Sequence, residues 1–241
     1  MKYAILSDIH SNLEALRAVL SEISRRGITN FICLGDIVGY GADPRACLEI
    51  VREIQPRAVR GNHDYAAAGP VGLSGFNDNA RLALLWTRPQ INSAGRDYLN
   101  SLPLIAEVSG VTLVHSSLKD PGRWEYILAP PDARSSFRSL PGSICFFGHT
   151  HRPLAYREEG GEITAENGPR IELQEGSRYL VNVGSVGQPR DRDPRAAFGV
   201  YDSEGRSVEI IRIEYPVEKA REKILRAGLP SFLASRLTEG R

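Results

Sequence analysis

The 241-residue chain has few features of a secreted, membrane-spanning or nucleic-acid-binding protein. It has three cysteines, an odd number without a CxxC pair, which argues against a disulfide framework and favours a reducing compartment. No apolar run approaches the roughly 20 residues of a membrane span, and no signal peptide precedes the first strand-like run. A formal net charge of +1 gives no electrostatic basis for binding nucleic acid or an anionic membrane. We therefore expect a cytoplasmic protein that binds neither nucleic acid nor a membrane.

Histidine is also scarce, yet all five histidines lie in settings typical of metal ligands. Each lies close to a carboxylate, an amide, a serine or a second histidine, just after an apolar run. Neutral imidazole and carboxylate oxygen are the ligands that divalent transition metals take in proteins. The sequence therefore predicts metal chemistry. The candidate side chains are Asp8, His10, Asp36, Asn62, His63, His115, His149 and His151.

The first part of the chain alternates apolar runs with helical patterns. Residues 2–7, 31–34 and 57–60 are short apolar runs that predict buried strands, and amphipathic helices separate them. This alternation favours parallel strands, whose carboxyl ends meet at one edge of a sheet. Because the candidate ligands follow these runs, we expect them to converge.

The remaining segments predict a second sheet. A hairpin over residues 104–115 and a strand over 143–147 precede six more strand-like segments and two terminal helices. Loops are expected over residues 66–75, which are rich in glycine, and over 119–131. Since no linker interrupts the pattern, we expect one domain over residues 1–241.

The spacing of the ligands predicts how they converge. Asp8 and His10 are two residues apart, as are His149 and His151, and positions i and i+2 of an extended strand share one side. Each pair is therefore expected to meet at one ion. With Asp36, Asn62 and His115 the ligands number seven, which suits two ions about 3.5–4 Å apart that share a carboxylate. His63 is surplus and free for proton transfer.

Five motifs in order resemble those of the calcineurin-like metallophosphoesterase superfamily. They end at His10, Asp36, Asp64, His115 and His151. Residues 182–190 are similar to the closing segment of its small bacterial phosphodiesterase-like branch. The resemblance implies an α/β (α+β) fold, a four-layer α-β-β-α sandwich of two mixed sheets flanked by helices. It also implies hydrolysis of phosphomonoesters or phosphodiesters, nucleotides included, with two divalent ions of manganese, iron, zinc or nickel.

The resemblance also implies a role for each residue. A metal-bound hydroxide would attack phosphorus in line, His63 would protonate the leaving oxygen or stabilise the transition state, and Asn62 would contact the phosphate. The implied ligands are Asp8, His10 and His151 for the first ion, Asn62, His115 and His149 for the second, and Asp36 as the bridge.

The chain departs from the phosphatase branches of the superfamily at two positions. Gly39 and Tyr40 stand where the protein serine/threonine phosphatases have an aspartate and an arginine. The usual carboxylate partner of His63 and the usual guanidinium for phosphate are therefore missing. Arg190, Tyr40 and Arg60 are the candidates to replace that guanidinium, and Arg190 is the one we expect to bind substrate.

Alternatives remain open at this stage. Trp124 and Tyr126 are expected either to stack on an aromatic part of the substrate or to fold back over apolar surface. The rival function is a catalytically idle scaffold for protein interaction, as in a retromer subunit of this superfamily. A DNA nuclease is disfavoured by the near-zero charge, and the sequence leaves the oligomeric state open. Since every motif position is filled, His63 included, we expect an enzyme.

Overall fold

Two six-stranded sheets form the centre of the structure, a computed structural model that describes residues 1–70 and 72–241. The strands are β1 (Lys2–Leu6), β2 (Asn30–Cys33), β3 (Arg57–Ala58), β4 (Ile105–Val108), β5 (Val111–Val114), β6 (Ile144–Phe147), β7 (Leu154–Glu159), β8 (Glu162–Glu166), β9 (Arg170–Glu172), β10 (Arg178–Asn182), β11 (Ala196–Asp202) and β12 (Ser207–Ile213). The helices are α1 (Leu13–Arg25), α2 (Pro44–Ile54), α3 (Asn62–Ala68), α4 (Asp78–Gln90), α5 (Ser93–Ser101), α6 (Pro130–Ser139), α7 (Val217–Arg226) and α8 (Ser231–Glu239).

Both sheets are mixed. In the first sheet the order is β3-β2-β1-β11-β12-β9, with β1, β2 and β3 parallel and the remaining pairs antiparallel. In the second the order is β4-β5-β6-β10-β7-β8, with β5, β6 and β10 parallel. This confirms the expected fold of two mixed sheets flanked by helices.

Apolar side chains on both faces of the strands hold the layers together. In β1, Ala4 and Leu6 face the cluster under α1 to α5, while Tyr3 and Ile5 face the second sheet. This alternation follows from the period of two in a strand, and it makes the run apolar throughout because both faces are covered. On the outer face of the second sheet, Phe137 of α6 packs against the strands. The order of layers is therefore α-β-β-α.

The helices begin where their sequences predict. The Asn12 side chain accepts a hydrogen bond from the Ala15 N–H at the start of α1, and Pro44 is the first residue of α2. Helices α7 and α8 pack with α4 around Tyr40. No helix in the described part of the chain is both long and apolar enough to cross a membrane.

The third predicted strand is shorter than expected. Of residues 57–60, only Arg57–Ala58 form β3, because the chain then turns away and the Arg60 N–H donates to the Pro103 carbonyl. Helix α3 then begins at Asn62, two residues after Arg60.

Both predicted loops contain helix. The first three positions of residues 66–75 belong to α3, and Val71 of that loop lies outside the described residues. The loop over residues 119–131 contains a 3₁₀ turn at Pro121–Arg123 and ends where α6 begins. Pro130 occupies the first position of α6, where proline is favoured, so the sequence contains a local signal for the start of this helix.

Candidate metal centre

Every predicted ligand follows the carboxyl end of a strand and is buried. The strands are β1, β2, β3, β5 and β6, so loops from both sheets meet at one edge of the sandwich. Three groups of histidine and carboxylate side chains there place their ligand atoms within 4.8 Å of one another. The groups are Asp8 with His10 and His151, His10 with Asp36 and His63, and Asp36 with His115 and His149.

The first cluster brings three ligand atoms together. The Nε2 atoms of His10 and His151 are 3.1 Å apart, and Asp8 Oδ1 lies 3.2 Å from His151 Nε2 and 3.8 Å from His10 Nε2. Ligands about 2.0–2.2 Å from one ion lie about 2.8–3.6 Å from each other in tetrahedral or octahedral coordination. Two of the three separations lie in this range and the third, 3.8 Å between Asp8 and His10, exceeds it by about 0.2 Å, so the donor set can hold a divalent ion after a small side-chain adjustment.

The second cluster has the same character. His115 Nε2 lies 3.2 Å from His149 Nδ1 and 3.2 Å from Asn62 Oδ1. Asp36 Oδ2 is 3.4 Å from the same nitrogen of His115. Two imidazoles, one amide oxygen and one carboxylate thus surround a second position with the spacing of ligands.

Asp36 lies between the two clusters. Its Oδ2 is 3.5 Å from His10 Nε2 in the first cluster as well as 3.4 Å from His115 Nε2 in the second. Its other oxygen, Oδ1, accepts a hydrogen bond from the His63 N–H at 2.9 Å. One oxygen of Asp36 is therefore directed toward both clusters while the other is fixed by the backbone of α3.

Backbone carbonyl groups orient three of the imidazoles. The Nδ1 atoms of His10, His115 and His151 lie 3.2, 2.7 and 2.6 Å from the carbonyl oxygens of Val38, Leu34 and Gln188. A carbonyl oxygen accepts hydrogen bonds, so Nδ1 donates to it, and Nε2 is the nitrogen that faces the cluster. These carbonyl partners lie 28 to 81 residues from their histidines, and no sequence motif indicates them.

The two histidines of the last motif go to different clusters. The spacing alone predicted that His149 and His151 meet at one ion, because extended backbone directs i and i+2 to one side, and this is wrong; the family resemblance had implied a different ion for each. Their φ angles are +67° and +59°, and those of Asp8 and His10 are +52° and +48°, so the backbone here is left-handed. His151 therefore joins Asp8 while His149 joins His115.

The segment over residues 182–190 supports these loops. The Ser185 hydroxyl and the Gly187 N–H both donate to the Asp8 carbonyl, and the Asn182 amide donates to the Gly148 carbonyl. The segment thus contacts the loops after β1 and β6 together, which is a structural reason for its similarity to the family's closing segment.

The charges of the site attract cations. Burial acts to raise the pKa of Asp36, but the neighbouring His115 and His63 outweigh it and hold the pKa of this carboxyl well below its usual value. Burial acts to lower the pKa of His115, but Asp36 outweighs it and raises this pKa to about 9. Asp36 therefore remains ionised and favours positive charge on its neighbours, as a bound metal ion would provide.

Aromatic rings surround the imidazole of His63. Its ring lies 4.4 Å from Tyr40, 4.9 Å from His10 and 5.2 Å from Phe76, centroid to centroid. The buried Nδ1 has no hydrogen-bond partner among residues 1–70 and 72–241, and a Cβ on Gly39 would lie 2.4 Å from it. Burial lowers the pKa of His63 to about 4, which leaves the imidazole neutral at neutral pH.

A cavity of about 240 Å³ opens above the clusters. Arg190 and Tyr40 both line it, and the guanidinium carbon of Arg190 lies 5.7 Å from the Tyr40 ring centroid. Arg60 does not line it and instead stacks on Tyr65 at 5.1 Å. Of the three candidates for phosphate binding, Arg190 is the cation at the cavity.

Comparisons with known proteins agree with this geometry. The family model of the calcineurin-like phosphoesterase superfamily domain matches residues 1–206. Uncharacterized protein MJ0912 of Methanocaldococcus jannaschii is 44% identical over 242 residues, which cover 99% of this chain and 98% of that protein. The crystal structure of a metallophosphoesterase from Sphaerobacter thermophilus has a TM-score of 0.89 and 40% identity, over 100% of this chain and 99% of that one. The hypothetical protein PH1004 from Pyrococcus horikoshii shares the fold, with a TM-score of 0.80 and 22% identity over 100% of this chain and 98% of that one.

Proposed function

Since the chain belongs to the calcineurin-like phosphoesterase superfamily, we propose that it is a dinuclear metal-dependent phosphoesterase. Its proposed substrates are phosphomonoesters or phosphodiesters, nucleotides included. The observation that carries the proposal is the position of Asp36, whose Oδ2 is in contact with one ligand nitrogen of each cluster.

Seven side chains would hold the ions. When bound, two divalent ions of manganese, iron, zinc or nickel would supply an activated water and Lewis-acid stabilisation of the phosphate oxygens. The ligands would be Asp8, His10 and His151 on one side, Asn62, His115 and His149 on the other, and Asp36 between them.

The remaining roles follow from what lines the cavity. His63 would direct a ring N–H toward the leaving oxygen and stabilise the negative charge that develops there by a hydrogen bond. With its Oδ1 beside His115, Asn62 would direct its amide NH₂ group to the phosphate. Arg190 would bind a phosphate oxygen through its guanidinium, replacing the arginine that this chain lacks beside Gly39.

The function is tested with metal-reconstituted protein and a panel of esters. The panel contains aryl mono- and diesters, cyclic nucleotides, dinucleoside polyphosphates and phosphopeptides. We expect turnover of at least one class, and a loss of about 10²- to 10⁴-fold in kcat for His63→Ala with metal content near that of the wild type. Wild-type protein that holds two ions and hydrolyses no ester would contradict the proposal and favour an idle scaffold. An unchanged rate in His63→Ala would remove the role assigned to His63.

A further inference from the structure

Two aromatic side chains line the cavity next to the second cluster. Trp124 and Tyr126 come from the loop between β5 and α6, and we call them the aromatic wall. The Trp124 ring approaches His115 at 6.0 Å with an interplanar angle of 69°, and Tyr126 stacks on His149 at 4.1 Å and 18°. An occupant of the cavity that reaches the second cluster therefore also reaches this wall.

The outer face of Tyr126 is open. His149 covers one face of the ring, yet the side chain remains 49% exposed. A phenol ring that is stacked on one side and accessible on the other can form a second stack. Trp124 is likewise only partly buried.

The loop is anchored to apolar surface by Ile127, while Trp124 also contacts the Tyr65 ring at 6.3 Å. Ile127, which is 2% exposed, packs into the core beneath α6 together with Phe137, and it fixes the loop to the protein. Trp124 has a φ of +57°, a conformation that bulky residues seldom adopt and that costs roughly 1–3 kcal/mol. Trp124 takes this conformation as the left-handed C-cap of the 3₁₀ turn at Pro121–Arg123, and its side chain lines the cavity.

The charge of the cavity suits an anion that carries a flat group. Among the described residues that line it, Asp36 is the one carboxylate, and its oxygens are directed at the clusters and the His63 N–H. Arg123 and Arg190 also line it. A phosphate at the clusters would thus have cations nearby and aromatic surface within reach of its ester group.

We propose that the aromatic wall binds a planar aromatic group attached to the scissile phosphate. The substrates would then be aryl or nucleoside phosphoesters rather than sugar or alkyl phosphates. This inference rests on the proposed function for the position of the phosphate. One base–aromatic stack changes affinity by about 5- to 150-fold, enough to select between these classes.

The binding test uses the tryptophans of the chain, of which there are two. The Trp86→Phe substitution on α4 leaves Trp124 as the one fluorophore of this kind. Metal-loaded Trp86→Phe protein is titrated with methylphosphonate, phenylphosphonate and the 5′-methylenephosphonate analogue of adenosine monophosphate, none of which has a hydrolysable phosphorus–oxygen ester bond. We expect phenylphosphonate or the adenosine analogue to quench Trp124 and to bind about 5- to 150-fold more tightly than methylphosphonate. The two aromatic probes distinguish an aryl from a nucleoside substrate.

Calorimetric titrations of variants then test whether the aromatic wall causes the preference for aromatic probes. In Trp124→Leu or Tyr126→Leu the ratio of the affinity for an aromatic probe to the affinity for methylphosphonate should fall toward one, while methylphosphonate itself binds as in the wild type. Phe232→Leu is the matched control, since this aromatic residue is 51% exposed and does not line the cavity. Equal affinity for phenylphosphonate, methylphosphonate and the adenosine analogue in the wild type would overturn the inference, as would a preference that survives both substitutions. Turnover without an aromatic preference refutes this inference alone, whereas an aromatic preference without turnover refutes the proposed function alone.

Discussion

Replacing Gly39 with alanine should displace His63 without removing a functional group from the protein. The added Cβ would lie 2.4 Å from Nδ1, 3.0 Å from Cγ and 3.2 Å from Cβ of His63. The imidazole has little room to retreat because Tyr40, Phe76 and His10 pack around it at 4.4 to 5.2 Å between ring centroids. The ring must therefore leave its position beside Asp36, or the loop that carries Gly39 must shift.

The expected magnitude has two parts. The φ of Gly39 is +94°, and a side chain in left-handed backbone costs about 1–2 kcal/mol. Overpacking against His63 adds about 1–3 kcal/mol, so the free energy of unfolding should fall by about 2–5 kcal/mol. Because the displaced ring no longer directs its N–H at the leaving oxygen, kcat should fall by about 10-fold or more, toward the roughly 10²- to 10⁴-fold loss expected when such a group is removed entirely.

Gly27→Ala is the matched control. Gly27 has a φ of +66°, and a Cβ there would meet nothing within 4 Å, so it carries the backbone cost of about 1–2 kcal/mol without the clash. Urea unfolding, metal content and turnover at saturating substrate are measured for both variants. A wild-type kcat in Gly39→Ala would refute the reasoning, as would an equal loss of kcat in Gly27→Ala.

Four further predictions concern metal binding, substrate binding and stability. Asp36→Asn should lower the occupancy of both ions, because it removes charge from the side chain whose Oδ2 contacts both clusters. Elemental analysis that shows one ion lost and the other retained would contradict this. Chelation should lower the Tm, and added manganese should restore it, since ions that bind only the folded state stabilise it; scanning calorimetry with no shift would count against a site of this kind. Arg190→Gln should raise KM by about 10-fold or more through loss of a charged hydrogen bond, with metal content unchanged, and an unaltered KM would exclude Arg190 from substrate binding. Lys223→Met should lower the free energy of unfolding by about 1–3 kcal/mol, because Lys223 Nζ lies 2.8 Å from the buried Glu14 carboxylate. Lys219 Nζ lies 3.5 Å from Glu14 and its side chain is 63% exposed, so Lys219→Met should lower the free energy of unfolding by less than about 0.5 kcal/mol. Equal losses in denaturant titrations of the two variants would contradict this ranking.

Local signals in the sequence were sufficient for most of the architecture. The apolar runs and the residues that follow them predicted which side chains would lie at the carboxyl ends of strands, because parallel strands bring those ends together. Signals for α3 and α6 were also present, in the form of Asp64 and Asp132 at the third helical position and Pro130 at the first. These helices were missed because the motif around His63 and the loop after β5 were interpreted as irregular.

Other features depend on contacts across the chain. The left-handed backbone at His149 and His151 is one such feature, since no propensity of histidine predicts it, and only the family resemblance implied that the two residues hold different ions. Phe76, which follows the glycine-rich residues 66–75, reaches His63, and Gln188 orients His151 with a main-chain carbonyl, a group that every residue possesses. Only the tertiary structure selects these partners.

Anomalous diffraction from crystals of manganese-loaded protein tests the central claim most directly. The account predicts two peaks per chain, one in contact with Asp8 and His151, the other with His115 and His149, and a single oxygen of Asp36 in contact with both. A single peak, or two peaks that share no oxygen of Asp36, would contradict it.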